Sequence, residues 1–167
     1  MKSADSKLTI RRASVTDVPV ILELIKALAE FEKLAHEVVA TEDMLQKTLF
    51  GEKPSAEVVI AELQGENQPV GFALFFTTYS TFLGRPGIYL EDLFVKPEFR
   101  SQKIGHKLLQ FLAKTAVERG CGRLEWSVLD WNVRAREFYE RLGAARMEEW
   151  TVHRLAGANL KNLADSN

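Results

Sequence analysis

The sequence predicts a mixed α/β layer fold, α+β in some schemes, in a single domain spanning residues 1–167. Three observations carry that prediction. Strand-like and helix-like apolar patterns follow one another in the order strand, two helices, strands, helix, strand, helix, strand. The 167 residues, 46% of them hydrophobic, suffice for one core of ordinary size. One stretch, Ile88 to Leu112, begins as a strand, breaks at Pro97, and passes through a polar loop closed by Gly105 into a helix.

The elements follow in order. Lys7 to Arg12 alternates briefly and reads as a first strand. Ser14 to Asp17 supplies helix-start chemistry, with Thr16 or Asp17 as N-cap and Pro19 in the first turn. The helix that follows repeats Val18, Ile21, Leu22, Ile25, Leu28 and Ala29 on one face and runs out near Leu34. Thr41 caps a second helix, Glu42 to Phe50, whose acidic first turn suits the helix dipole and whose end Gly51 marks. Ala56–Leu63 and Pro69–Thr78, joined by the turn Q-G-E-N-Q, form an antiparallel hairpin, and Ser80 to Gly87 is a connecting loop. After the strand of the central stretch comes a helix from Gly105 to Arg119, with Leu108, Leu109, Leu112, Ala116 and Val117 on its apolar face and Gly120 as its stop. Leu124 to Leu129 reads as a strand, Val133 to Leu142 as a short helix ended by Gly143, and Met147 to Leu155 as a last strand. The tail, about residues 156–167, is small and polar and expected to fray.

Composition narrows the function. With 22 Lys and Arg against 23 Asp and Glu, the formal charge is -1 and no basic run makes a positive face, which argues against nucleic acid as a partner. The longest apolar run, Val70 to Phe76, falls far short of the roughly 20 residues a bilayer needs, and M-K-S-A-D-S-K at the N-terminus has no apolar signal core. No membrane partner and a cytoplasmic location are therefore expected. The single Cys121 fits a reducing compartment and gives no metal site; it reads as an inert residue at a helix-to-strand turn. His36, His106 and His153 show neither partner pattern nor ligand spacing.

The chemistry concentrates in the central stretch. A loop entering a helix presents backbone N–H groups that can hold a pyrophosphate without cationic side chains. Neither the P-loop spacing nor the glycine pattern of dinucleotide folds is present. Glu91 and Asp92 stand in a strand otherwise made of Tyr, Leu, Phe and Val, where a carboxylate is costly unless paired, solvated or used. Successive strand residues face opposite ways, so both carboxylates can serve one site only if a bulge or the sheet edge turns them together.

Arg100-Ser101-Gln102-Lys103-Ile104-Gly105, after a strand and opening a helix, resembles the [QR]-x-x-G-x-[GA] signature of the GCN5-related N-acetyltransferase (GNAT) family. Within it the chain is most similar to the diamine (spermidine/spermine) and thialysine acetyltransferase branch. The shared segments are I-K-A-L-A-E-F-E-K at Ile25–Lys33, Y-L-E-D-L-F-V at Tyr89–Val95, W-N-V-R-A-R-E-F-Y-E-R-L-G-A at Trp131–Ala144, and the T-E-x-x-L and F-G-E-x-P patterns near Thr41 and Phe50. The resemblance implies a mostly antiparallel central sheet flanked by helices. It also implies transfer of the acetyl group of acetyl-CoA, without a metal, to a primary amine of a small cationic acceptor: a polyamine, a diamine or a thialysine- or lysine-like amino acid.

The same resemblance assigns residues. Leu93, Phe94 and Val95 would line the pantetheine arm, pairing with it as an added strand does. Arg100 would join Ser101, Gln102, Lys103, Ile104, Gly105 and His106 in the cofactor loop, with Ser101 to His106 holding the pyrophosphate. Asn132 matches a residue that contacts the cofactor, and Asn is also a good N-cap. Amine acylation needs an ammonium of pKa about 10 to lose a proton and a thiolate of pKa about 8.5 to gain one. Glu91 is implied as the base, acting through water, and Tyr139, in N-x(5)-F-Y, as the acid. Asp92 is implied as a charge partner, and its structural alternative is a salt bridge. Phe31, Glu32 and Trp150 would border the acceptor, and Glu125, Trp126 and Ser127, on the neighbouring strand, could border it as well. The branch is homodimeric, to which the apolar C-terminal strand would contribute.

Lys103 stands where the signature has its middle glycine, and would be strained there if that position requires a positive φ, by roughly 1 kcal/mol or more. Either the loop keeps a conformation lysine can adopt, with the ammonium available to the cofactor phosphates, or cofactor binding is weakened. The expected activity is direct transfer in a ternary complex, since no serine or cysteine nucleophile motif is present. Acetylation of a protein lysine or N-terminus is the alternative within the enzyme class. From another class, Lys103 keeps open a non-catalytic CoA-binding regulatory module.

Overall fold

The computed structural model describes residues 8–66 and 68–166. Lys7 of the expected first strand and Asn67 of the expected turn lie outside the described residues. Residues up to Ser127 form one compact unit and those from Val128 onward a second.

The first unit is built on a five-stranded sheet in the order β1-β2-β3-β4-β5. Its strands are β1 (Leu8–Arg12), β2 (Glu57–Leu63), β3 (Gly71–Ser80), β4 (Arg85–Val95) and β5 (Leu124–Trp126). The first four run antiparallel and β5 lies parallel to β4, giving the expected mostly antiparallel sheet. The loop expected over Ser80–Gly87 shrinks to a tight turn at 81–84, because β3 and β4 stay paired out to Ser80 and Arg85. Gly84 accommodates that turn at φ 61, and Gly87 is kept small by contact, since a Cβ there would stand 2.8 Å from Thr78 Oγ1.

Helix α1 (Val18–Phe31) starts where Ser14 and Asp17 cap each other: the Ser14 N–H donates to Asp17 Oδ2 at 2.7 Å. Arg11 on β1 donates to both Asp17 oxygens, at 2.8 and 2.9 Å, and also to Glu62 on β2. The Arg11 guanidinium, aided by the bonds from Ser14, holds the buried Asp17 carboxyl down at about 2. The helix ends at Phe31, short of Leu34, in a turn that donates Lys33 N–H to Glu30 O and Leu34 N–H to Ala29 O around Lys33 at φ 62. Helix α2 (Glu42–Phe50) is capped by Thr41, which accepts from the Met44 N–H at 3.3 Å. It stops at Gly51, where a Cβ would fall 2.3 Å from Lys47 O.

Helices α1 and α2 bury Val18, Ile21, Leu22, Leu24, Leu28, Leu45 and Leu49 against Val58, Phe72 and Phe94 of the sheet. Helix α3 (Ile104–Glu118) packs on the sheet with Ile104, Leu108, Leu109, Leu112 and Ala116 buried. Fully burying one such side chain contributes about 1.5–3 kcal/mol, so these layers dominate the stability of the unit. Val117, expected on the buried face, is exposed; it lies one position beyond the stripe that Leu109, Leu112 and Ala116 carry to the helix end.

The second unit carries α4 (Val133–Arg141) and α5 (Gly157–Ala164). Helix α4 ends as expected at Gly143, φ 86, with the Ala144 N–H donating to Tyr139 O at 3.2 Å. Two expectations are corrected. Met147–Leu155 forms no strand, and the strand expected over Leu124–Leu129 stops at Trp126. Alternation makes a strand only where a neighbouring backbone completes the ladder, and among the described residues none pairs with 147–155. The tail expected to fray forms α5, an exposed helix. Among the described residues no helix is long and apolar enough to cross a membrane.

Candidate active site

The site is built on the middle of β4. Ile88, Tyr89 and Leu90 pair with β3 on one side and with Leu124, Glu125 and Trp126 on the other. Beyond Leu90 strand β5 has ended, and from Asp92 to Val95 the ladder runs to β3 alone. Leu93, Phe94 and Val95, expected along the pantetheine arm, therefore present a strand edge that no described strand covers.

A bulge sits where the pairing changes. Leu90 faces Phe75 and Asp92 faces Leu74, so Glu91 is the extra residue with no partner on β3. The slip changes which way everything after it points. Leu90 and Leu93 share one face, whereas Tyr89, Asp92 and Phe94 share the other, the side of Phe72 and Leu74 covered by α1 and α2. Without the bulge Asp92 would share the face of Ile88 and Leu90. With it, Asp92 lies within electrostatic reach of Glu32 at the end of α1.

Glu32, Glu91 and Asp92 form an acidic wall. Glu91 is exposed, while Asp92 is largely buried and its carboxyl is pushed up to about 6. Loss of hydration is the main cause, and repulsion from Glu91 and then Glu32 adds to it. Burial also raises the Glu32 carboxyl above its ordinary value. Burial and like-charge repulsion, not an attracting cation, set the Asp92 carboxyl. Of the other acceptor-side candidates in this unit, Tyr89 Oη lies 2.7 Å from Ser127 Oγ, an exposed hydrogen bond. Glu125 stands 4.0 Å from Arg123, and Trp126 is half-buried.

The loop from Arg100 to Lys103 leads into α3 without a side-chain cap. Ser101 takes φ 70 and Lys103 φ 61, so this segment carries two of the three positive-φ residues other than glycine among the described residues. Lys103 answers the sequence question: the position does hold a left-handed conformation, and lysine adopts it. The strain at Ser101 went unanticipated; a serine at a variable position of the signature carries no signal for it. His106 and Gln102 are exposed, and Ile104 is buried under the sheet. Gly105 has helical φ and its missing Cβ would reach only Val95 Cγ2, at 3.9 Å. Neither strain nor internal packing demands a glycine there, and its smallness leaves room beside the open end of β4.

Arg100 reaches the end of β4 and the end of α1. Its N–H donates to Pro97 O at 3.2 Å and its Nε to Val95 O at 3.0 Å. Its guanidinium carbon lies 4.4 Å from the ring centre of Phe31 and 5.7 Å from that of Phe94. In the second unit Asn132 caps α4, accepting from the Ala135 N–H at 3.2 Å. Tyr139 is half-buried on α4 with its ring 5.4 Å from that of Phe138, and Trp150 is exposed.

Comparison with known proteins bears on this geometry. Residues 22–144 match the model of the acetyltransferase (GNAT) family. The chain is 43% identical over 164 residues to thialysine N-epsilon-acetyltransferase of Bos taurus, covering 93% of this chain and 96% of that one. It is 35% identical over 201 residues to L-ornithine N5-acetyltransferase of Arabidopsis thaliana, covering 95% and 88%. Among solved structures, an integron cassette protein from the mobile metagenome of V. cholerae superposes with a TM-score of 0.80 at 26% identity, over 95% of this chain and 98% of that one.

Replacing Lys103 by glycine removes a left-handed penalty of about 1–2 kcal/mol and adds about 0.5–1 kcal/mol of unfolded-state entropy. Lys103→Gly is therefore expected to raise unfolding stability by about 0.5–1 kcal/mol, read as a shift of the urea midpoint at unchanged slope. An unchanged or lowered midpoint would contradict the strain.

Proposed function

The chain belongs to the acetyltransferase (GNAT) family, and we propose that it acetylates a primary amine of a small cationic molecule by direct transfer in a ternary complex. Thialysine- and ornithine-like amino acids lead the candidates, followed by diamines and polyamines. The observation that carries this reading is the wall of Glu32, Glu91 and Asp92, in which Asp92 is largely buried and repelled by the other two carboxylates. Such a wall is costly in the empty protein and is relieved by an ammonium. The names of the bovine and plant relatives support the same class of acceptor.

Members of this family use acetyl-CoA, and the chain has groups that fit it. The uncapped start of α3 offers amides to a pyrophosphate, Gly105 leaves space next to Val95, and the edge of β4 from Leu93 to Val95 offers backbone groups to an amide-bearing arm. Acetyl-CoA supplies the activated thioester. Asp92 and Glu32 attract and orient the acceptor ammonium, and Glu91, exposed on its bulge, takes the proton through water. Tyr139 returns a proton to the departing thiolate, a role supported by its place in N-x(5)-F-Y. The left-handed Lys103 keeps its ammonium for the cofactor phosphates. The exposed Met147, Trp150, Val152 and Leu155 support a homodimer that covers them, and the single free cysteine supports a reducing, cytosolic setting.

Four outcomes test the reading. Purified protein with acetyl-CoA is expected to release thiol with thialysine, ornithine, lysine analogues or polyamines, and not with peptides; turnover of peptides alone would overturn it. Because Asp92 ionises at about 6 in the free enzyme, kcat/KM for the amine should fall below pH about 6, and Asp92→Asn should lose that limb along with most of the activity. Tyr139→Phe should lower kcat by roughly 10²-fold or more with acetyl-CoA affinity little changed. Light scattering should return twice the 18.9 kDa chain mass.

A further inference from the structure

An acidic wall recognises an ammonium, so by itself it cannot tell a diamine from an amino acid that ends in the same amine. What can distinguish them lies further along the same face of the sheet. Two residues along β3 from the Leu74–Asp92 pair, Phe76 faces Tyr89, and their rings stand 5.3 Å apart at 30°. Phe72 and Phe94 on this face are buried under α1 and α2, whereas Phe76 and Tyr89 are half-buried. The two rings make a flat apolar floor leading away from Asp92, suited to a methylene chain.

Beyond that floor a cation and an anion stand side by side. Glu125 on β5 pairs with Tyr89. Arg123, just before β5, accepts the Ile88 N–H on its backbone oxygen at 3.0 Å. A Cβ added to Gly87 would point at both Thr78 Oγ1, at 2.8 Å, and the Arg123 Cβ, at 3.8 Å. Thr78 shares the face of Phe76, so Arg123 starts out on that face too, in the space that the bare backbone of Gly87 leaves. Its Nη1 lies 4.0 Å from Glu125 Oε1, with the two side chains 44% and 42% exposed. An ion pair that long and that hydrated adds little to the fold, and both partners can turn to a ligand.

Such a pair complements a zwitterion, its carboxylate binding an ammonium and its guanidinium taking a carboxylate on two parallel N–H bonds. The spacing suits one small molecule. From the level of Asp92 to that of Tyr89 is about 7 Å along the sheet, and β5 lies about 4.8 Å further across. An extended chain of three or four methylenes between amine and α-carbon spans about 5–6 Å, and a hydrogen bond at each end adds about 3 Å.

We infer that Arg123 is a specificity-determining residue: with Glu125 it receives the α-carboxylate and α-ammonium of an amino-acid acceptor whose side-chain amine lies at Asp92. It thereby favours amino acids of ornithine or lysine length over diamines and polyamines, whose second cation it repels. This inference rests on the reading of the acidic wall as the amine site.

The test uses ornithine and 1,4-diaminobutane, acceptors that differ only by the carboxylate. The wild-type enzyme is expected to favour ornithine in kcat/KM by about tenfold or more. Arg123→Gln should raise KM for ornithine about tenfold with kcat changed less, and lower KM for the diamine about twofold because a repelling charge is gone. Glu125→Gln should raise KM for both, since both carry the distal ammonium. Arg123→Lys, which keeps the charge without the fork, should restore part of the preference. Independently of turnover, calorimetric titration of ornithine into the protein saturated with CoA should show the same loss of about tenfold in Arg123→Gln. Equal losses for the two acceptors, an unchanged ratio in Arg123→Gln, or a wild-type preference for the diamine would overturn the inference. Failure of the wild-type protein to acetylate any amine would overturn the amine-site reading and this inference with it, an outcome distinct from an active enzyme whose ratio does not move.

Discussion

Strand β4 has neighbours on both edges only as far as Leu90, and the rest of the molecule follows from that limit. Unpaired backbone groups away from water are costly, so an edge opened in the middle of a sheet has to meet solvent or a ligand with its own amides. Its opening coincides with the Glu91 bulge, which resets the facing of Asp92 and Phe94. Phe94 thereby joins the core with Phe72, and Asp92 comes under the end of α1. One irregularity thus sets the free edge and the acidic wall.

Those features cost stability. Asp92 has a folded ionisation point raised above its unfolded one, so its burial costs nothing well below pH 4 and its full amount above about 6. Asp17 works in the opposite sense: its carboxyl is held at about 2, so the stability it adds is present above about 4 and lost as pH falls towards 2. The second group belongs to the frame, joining β1 to the start of α1, and the first to the site. Positive φ at Lys33, Ser101 and Lys103 repeats the pattern, since all three lie in the turns that border the site. Strain and unpaired charge gather where a ligand can relieve them.

Much of the frame was legible because its signals are local. Thr41 and Gly51 bound α2 as expected, since a cap and a close approach to Lys47 O act within one turn. Gly143 ended α4 for the same reason. The bulge was legible only as a condition: two adjacent carboxylates needed one, but spacing within a strand cannot reveal its register with a neighbour. The contact of Arg100 with Phe31 joins residues far apart in the chain, and no pattern near either announces it. Met147–Leu155 has the aromatic and β-branched residues of a strand, yet without a backbone partner it stays unpaired.

In the proposed function, the division of labour between Glu91 and Asp92 is the less obvious step. By ionisation alone Asp92, at about 6, is better matched to a general base near neutral pH. That value belongs to the empty site, where burial and two neighbouring carboxylates oppose its charge. An ammonium placed against it would stabilise the ionised form and draw the value down, making Asp92 a weaker base when one is needed. Glu91 stands on the bulge in contact with solvent, so a proton it receives through water has a path away from the acceptor. In the proposed function, two adjacent carboxylates in different environments would therefore divide the work, with Asp92 holding the cation in place and Glu91 carrying the proton.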